Sequence, residues 1–263
     1  MLLAIPLAVI TLAAGAWAGQ RSLLFRAAAF DPVPALWQAD TFEVVRYATD
    51  DGLDIAGWYA APTRPGAPVI LYFPGCQGHL GRQSAKLRAF VADGAGVLMA
   101  GYRGYARNPG RPSETGLRRD AAAAAAFLRA RGVAPSRTVV WGYSLGSSVA
   151  TGVATAGGFA GLVLEAPFLS VPAVVASHAR IGLAPLIRDR FDTRALIRRV
   201  DAPVLVLHGT ADAVIPWSHG EALSRIATDA SFVPFAGGGH DDHEAFGAGP
   251  VVADFVRRMV PAG

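Results

Sequence analysis

Apolar residues fall into three patterns along this chain. The first is an unbroken stretch: residues 1–19 carry no ionisable side chain, and the first charge is Arg21. As a helix this stretch reaches roughly 28 Å, close to the hydrocarbon thickness of a bilayer. Pro6 and Gly15 are tolerated in a spanning helix, and Trp17 suits an interface. The stretch therefore predicts a signal-anchor or transmembrane helix over 1–19, with the rest of the chain, 20–263, as the folded domain. Two alternatives stand beside it. Ala16-Trp17-Ala18 has the small-x-small form of a signal-peptidase site, although a basic region ahead of the apolar stretch is missing. A helix buried in the domain is the third reading. Arg21 and Arg26 follow the stretch, so the positive-inside rule puts an anchored domain on the cytoplasmic side; cleavage would make it secreted or periplasmic.

The second pattern is strand-like. Residues 41–47 and 53–60 flank the turn signal Asp50-Asp51-Gly52, which predicts a hairpin. Before it, residues 20–40 read as a connector, with Pro32 and Pro34 opposing regular structure. The third pattern begins after a loop at 62–68. Short apolar runs at 69–73, 97–100, 138–141, 161–165, 204–208 and 231–235 are apolar at successive positions, as strands buried on both faces are. Helical stretches near 82–93, 114–131, 144–156, 218–228 and 243–259 separate most of them. Ser113-Glu114 supplies a capping hydroxyl and an acid for the second of these. Strands alternating with helices predict an α/β domain with a mainly parallel sheet and right-handed crossovers. Between Glu165 and Val204 there is room for a few short helices and no lid domain. Phe168, Leu169 and Trp217 are expected to shape a rather open site.

Composition narrows the class. The chain is 52% hydrophobic and 17% charged, too apolar for a disordered protein. With one cysteine, Cys76, it can hold neither an internal disulfide nor a site of several thiolates. Twenty-four basic residues against 20 acidic ones leave a mild net charge of +4. The arginines are scattered, Lys86 is the one lysine, and no basic stripe marks a nucleic-acid partner.

Candidate chemistry lies at predicted strand ends. Gly142-Tyr143-Ser144-Leu145-Gly146 has the form G-x-S-x-G, a weak match alone. Here it follows a strand and opens a helix, the context that strains and exposes such a serine. Gly142 and Gly146 are needed because side chains there would strike the neighbouring strand or helix. A serine hydroxyl needs a base, and the base an orienting acid. Asp212 follows the strand at 204–208, and His240 follows the Gly237-Gly238-Gly239 loop after the next strand. Open α/β sheets collect their ligands at such ends. His208 is expected to pack near Asp212 and His243 to begin the last helix. Asp201 is a second candidate acid, and Asp241, Asp242 and His243 a conceivable metal cluster. For a tetrahedral intermediate, the amide of Leu145 is one oxyanion donor. The loop Pro74-Gly75-Cys76-Gln77-Gly78-His79 would give the other, through the backbone of Cys76. Cys76 as nucleophile is the sharper alternative, without a base nearby in sequence.

With these residues in view, the chain resembles the α/β-hydrolase superfamily of serine hydrolases. More narrowly it is similar to the membrane-anchored Bem-type subfamily of α/β-hydrolase-domain proteins. The resemblance runs from about residue 20 to the end. It includes Arg21-Ser22-Leu23-Leu24-Phe25, Asp50-Asp51-Gly52, Gly101-Tyr102-Arg103-Gly104-Tyr105 and Pro112-Ser113-Glu114. It implies an α/β-hydrolase fold with Ser144 as nucleophile, Asp212 as acid, His240 as base, and Cys76 and Leu145 as oxyanion donors. It implies no cofactor and no metal. The subfamily usually has His-Gly-Asn where this chain has Pro74-Gly75-Cys76, and Asp where it has Gly101. The implied activity is hydrolysis of esters or thioesters of small acyl or lipid-like substrates. A prolyl-oligopeptidase-like peptidase, or a non-catalytic membrane-anchored binding protein on the same fold, are the alternatives.

Overall fold

The computed structural model describes residue 17 and residues 19–27, 33–178 and 184–261. The predicted anchor therefore lies outside the described residues except for Trp17 and Gly19. Among the described residues no helix is long and apolar enough to cross a membrane.

Eight strands form one sheet: β1 (Glu43–Ala48), β2 (Asp54–Ala60), β3 (Val69–Phe73), β4 (Gly96–Met99), β5 (Thr138–Tyr143), β6 (Gly161–Glu165), β7 (Val204–Gly209) and β8 (Ala230–Phe235). Their order is β1-β2-β4-β3-β5-β6-β7-β8. The predicted hairpin is present: β1 pairs antiparallel with β2, and β2 antiparallel with β4. From β4 onward every pairing is parallel. The order reverses around β3, so the chain after β3 and the chain after β5 emerge side by side at one sheet edge. That is where open α/β sheets form ligand crevices.

Seven α-helices lie among the described residues from 33 onward: α1 (Leu80–Ala92), α2 (Glu114–Ala130), α3 (Leu145–Ala154), α4 (Val171–His178), α5 (Thr193–Ile197), α6 (Ser218–Ile226) and α7 (Ala248–Met259). Successive strand residues point to opposite faces, and two cores result. On one face Leu71, Phe73, Val140 and Val206 pack with Leu117, Ala121 and Ala124 of α2, Val149 of α3 and Leu223 of α6. On the other, Ile70, Tyr72, Trp141 and Leu207 pack with Leu87 and Phe90 of α1 and Val252 and Phe255 of α7. The alanine run of α2 is thus a close-packed helix face. Ser113 caps it, accepting from the Gly116 amide at 3.0 Å.

Three sequence expectations are corrected. Residues 19–24 are helical, and Pro34–Trp37 is a 3₁₀ turn, so the stretch 20–40 is not a plain connector. Pro34 sits at a position where a helix start needs no amide. The last helix begins at Ala248, not 243: His243–Phe246 is a 3₁₀ turn, closed by Gly247 at φ +87°. The elbow helix starts after Ser144, at Leu145.

Candidate active site

Ser144 joins β5 to α3 with φ 51° and ψ −119°, a strained region for a residue with a side chain. The two motif glycines allow it. A Cβ on Gly142 would lie 2.2 Å from the Gly146 carbonyl oxygen and 2.6 Å from Ser147 Cα. One on Gly146 would lie 2.1 Å from the Phe73 carbonyl oxygen. The strand end and the helix start therefore meet backbone to backbone. The Ser144 amide donates to the Glu165 carbonyl at 2.9 Å, fixing the elbow to the neighbouring strand.

The loops after β7 and β8 are fastened together. A Cβ on Gly209 would strike the carbonyl oxygens of Gly238 and Gly239 at 2.3 Å. The Ala211 amide donates to Gly238 at 2.8 Å, and the Gly237 amide to Thr210 Oγ1 at 2.9 Å. This zip sets His240 opposite both partners. Its Nδ1 is 2.7 Å from Asp212 Oδ2, and its Nε2 is 3.1 Å from Ser144 Oγ. Ser144, His240 and Asp212 thus form one hydrogen-bonded chain, within the reach general-base activation of a hydroxyl requires.

Asp212 is held on both oxygens. Its Oδ1 accepts the amides of Val214 and Ile215, each at 2.8 Å. Its Oδ2 faces His208 Nε2 at 3.2 Å as well as His240. Burial alone would raise the pKa of this carboxyl. Hydrogen bonds from His208, His240 and the Ile215 amide, with the nearby His240, outweigh burial and hold it well below the usual carboxylate range. His208 Nε2 also lies 2.9 Å from the Ile215 carbonyl, so it faces two acceptors and must carry the proton. His208 was expected near Asp212; that it shares the same oxygen as His240 was not foreseen.

The two amides suggested as oxyanion donors adjoin the serine. Leu145 is the first residue of α3, so its N–H has no intrahelical acceptor. The Gly75 carbonyl accepts the Gly78 amide at 2.9 Å, and Tyr105 Oη donates to the Cys76 carbonyl at 2.9 Å. Both peptide planes flanking Cys76 are thereby fixed, and in a trans peptide the Cys76 N–H points opposite to the bound Gly75 carbonyl. Among the described residues neither amide is bonded to a backbone carbonyl of another loop or strand. A Cβ on Gly75 would approach Ser144 Cβ to 3.2 Å, which shows how closely this loop passes the serine. Burial pushes the Cys76 thiol pKa up, the opposite of what a nucleophilic cysteine needs.

The remaining candidates lie elsewhere. Asp201 is exposed and precedes β7, whereas Asp212 follows it at the other end of the strand. Tyr143 Oη donates to the Asp241 carboxylate, while Asp242 Oδ1 accepts the Gly239 amide at 2.8 Å. His243 turns inward to Glu165. These three side chains point apart, and among the described residues no group of three or more such side chains can hold a metal ion.

A cleft of about 1010 Å³ opens over Ser144, at the upper end of the roughly 300–1,000 Å³ usual for small-molecule sites. Phe168, Val171, Val174, Leu186, Val214 and Ile215 make much of its apolar lining, and Gln77, His79 and Arg82 lie on a polar side. Phe168 fulfils its expected role. Leu169 and Trp217 do not: the Leu169 amide donates to His219, and Trp217 stacks on Phe232. Unexpectedly, Trp17, Leu23 and Leu24 also border the cleft.

Comparison with known proteins follows the same line. Residues 65–196 match the family described as serine aminopeptidase, S33. An uncharacterised protein of Mycobacterium tuberculosis (strain H37Rv) is 38% identical over 254 residues, covering 93% of this chain and 88% of that protein. A lysophosphatidylserine lipase of Danio rerio, ABHD12, is 27% identical over 79% of this chain and 63% of its own length. An esterase of Pyrococcus furiosus superposes with a TM-score of 0.70 at 13% identity, covering 89% of this chain and 97% of that one, a likeness of fold.

Proposed function

Because the chain belongs to the serine aminopeptidase S33 family of the α/β-hydrolase superfamily, we propose that it is a serine hydrolase in which Ser144, His240 and Asp212 form the catalytic triad. Ser144 Oγ attacks the acyl carbonyl while His240 Nε2 takes its proton. Asp212 holds the imidazole in orientation and stabilises the imidazolium that forms. The amides of Cys76 and Leu145 receive the oxyanion. His240 then gives the proton to the departing alcohol or thiol, leaving an acyl-serine. Water, losing a proton to His240, attacks that ester, and its proton returns to Ser144 as the free acid leaves. What carries the reading is the hydrogen-bonded chain Asp212–His240–Ser144, at 2.7 and 3.1 Å, beneath a largely apolar cleft.

The substrate in this reading is an ester or thioester of a small acyl or lipid-like compound. The apolar lining favours it, and the lipase and esterase among the similar proteins agree with it. The family description favours one second reading, hydrolysis of an aminoacyl bond by the same triad. The reading has two parts along the chain: residues 1–19 anchor the protein in a membrane, and 20–263 are the hydrolase domain, facing the cytoplasm. The anchor rests on the uncharged apolar stretch and on the two arginines that follow.

The test uses full-length protein in detergent beside Ser144→Ala. Both are treated with a fluorophosphonate probe, then assayed on p-nitrophenyl esters and on aminoacyl p-nitroanilides. Labelling and ester turnover in the parent, absent from the variant, are expected. A folded parent that neither labels nor turns over any substrate would sink the proposal.

A further inference from the structure

The segment that follows the apolar N-terminus is fastened, by specific polar contacts, to the far end of the cap, the short insertion between β6 and β7, 168 residues away. Arg21 makes a two-point ion pair with Asp189, Nε to Oδ2 at 2.6 Å and Nη2 to Oδ1 at 3.0 Å. Asp189 is buried and also accepts the Glu114 amide at 2.8 Å, which ties the pair to α2. Gln20 bridges in both senses, donating to the Leu186 carbonyl at 3.2 Å and accepting from the Arg188 amide at 2.8 Å. The Arg188 guanidinium lies 4.2 Å from the Trp17 ring, and Phe25 meets Phe191 edge to face. A two-point arginine–carboxylate pair is directional, so the segment has a defined orientation.

That orientation turns apolar side chains toward the site. Trp17, Leu23 and Leu24 border the same cleft as Ser144, together with cap residues such as Val174 and Leu186. Trp17 is 48% exposed, Leu23 78%, Leu186 53% and Val214 52%. Large apolar side chains left in water around one opening mark a surface that an apolar ligand covers. The triad lies beside this opening, so the group that reaches it is the acyl chain of a substrate held at Ser144.

We propose that residues 20–24, with Trp17 at the end of the anchor, form one wall of the acyl-binding cleft and determine acyl-chain length, with Arg21–Asp189 as the pin that positions the wall. The inference rests on the serine-hydrolase reading above. Each methylene buried against the wall strengthens binding about fourfold, so a few methylenes separate long from short substrates. Arg21 is a positioning residue: it holds Trp17, Leu23 and Leu24 against the cap.

The experiment compares full-length parent, Leu24→Trp, Arg21→Ala and Arg21→Lys in detergent. It measures kcat and KM for p-nitrophenyl butyrate, octanoate and dodecanoate, and fluorophosphonate labelling of each protein. The dodecanoate-to-butyrate ratio of kcat/KM is expected to fall by about tenfold in Leu24→Trp and Arg21→Ala, mainly through KM. Arg21→Lys should recover part of the ratio. A fall shared equally by all three esters, or an unchanged ratio, with labelling intact, would overturn the wall alone. Failure of the parent to label would overturn the hydrolase reading and the wall together.

Discussion

His208 and His240 meet at a single oxygen: Asp212 Oδ2 lies 3.2 Å from His208 Nε2 and 2.7 Å from His240 Nδ1. The buried histidine thus steadies the acid from behind while the other histidine reaches the serine. Removing that donor should weaken the orientation of His240 without disabling it, because Oδ1 keeps two backbone amides. We expect His208→Leu to lower kcat roughly tenfold with KM little changed, by analogy with losses when outer hydrogen-bond partners of a site are removed. His208→Gln, which retains a donor, should recover part of the loss. Asp212→Asn should cost far more, on the order of 10⁴ in kcat. Steady-state kinetics on variants with parent-like melting curves checks the ranking; equal losses for His208→Leu and Asp212→Asn would refute it.

A second buried carboxylate ties the site to the core. Glu165 ends β6, and its backbone holds the Ser144 amide. Its side chain meets Lys86 Nζ at 2.6 Å, Trp141 Nε1 at 3.0 Å and His243 Nδ1 at 3.3 Å. Lys86 also lies over the rings of Tyr72, Trp141 and Tyr143. Burial alone would raise the Glu165 pKa, but the Lys86 ammonium and His243 hold it down to about 2, against an ordinary 4.5. A carboxyl with a lower pKa folded than unfolded contributes stability above its unfolded value and loses it as pH falls through the folded one. The parent should therefore lose stability between about pH 4.5 and pH 2, and Glu165→Gln should show a flatter profile there. At pH 7 that variant should be less stable by about 3–5 kcal/mol, because Lys86 is left buried and unpaired. Adding Lys86→Met should return part of the loss. Urea unfolding across pH measures all three; additive losses at pH 7 would show the pair to be uncoupled.

Much of this architecture was legible in the sequence, and the parts that were not share a physical cause. Runs such as Val69–Phe73 and Gly161–Glu165 are continuous in sequence and buried on both faces, so their pattern is local. The elbow is local too: two glycines four residues apart carry its steric requirement. Pairings across the fold left no such trace. Lys86 and Glu165 are 79 residues apart, and Arg21 and Asp189 are 168 apart. Nothing near either member announces its partner. The sequence points to an earlier start for the last helix because residues 243–246 are helix-compatible. The Gly247 stop at φ +87° becomes evident only once His243 is drawn inward to Glu165.

Gly101 departs from the resembling subfamily, which usually has aspartate there, and the packing explains why a side chain is excluded in this chain. A Cβ on Gly101 would lie 1.9 Å from the Ala56 carbonyl oxygen and 2.9 Å from Asn108 Nδ2. The Tyr47 hydroxyl accepts the Gly101 amide at 3.0 Å, and Asn108 bonds both the amide and carbonyl of Ala56. The Ala56 backbone on one side cannot yield, and the Asn108 amide on the other is held by its own bonds to Ala56. Gly101→Ala should destabilise the fold by about 3 kcal/mol, the upper part of the usual range for overpacking, and Gly101→Asp by more. Denaturant midpoints at constant slope measure this; a Gly101→Asp variant as stable as the parent would contradict the packing argument.

The cap helix α4 is latched to the loop of Asp212 by His178. Its Nδ1 lies 3.0 Å from the Val174 carbonyl and its Nε2 3.1 Å from the Ala213 carbonyl. Two acceptors call for two N–H donors, which only the imidazolium supplies. The Val174 and Ala213 carbonyls accordingly raise its pKa above 6.5, with Asp212 adding to the effect. The neighbouring His219 is shifted the other way, by burial first and then by His208 and His178, and it accepts the Leu169 amide on Nδ1. His178 therefore keeps its second proton to higher pH than His219 does. A histidine with a raised folded pKa contributes stability fully present below 6.5 and lost as pH rises through its folded value. Because α4 presents Val171 and Val174 to the cleft, release of the latch should loosen that wall first. NMR titration should give His178 a pKa above 6.5 and His219 one below it. Amide exchange in α4, corrected for the intrinsic dependence on pH, should speed up as His178 deprotonates, and His178→Gln should remove that step. A His178 pKa at or below 6.5, or an exchange rate in α4 that does not follow its titration, would discard the latch.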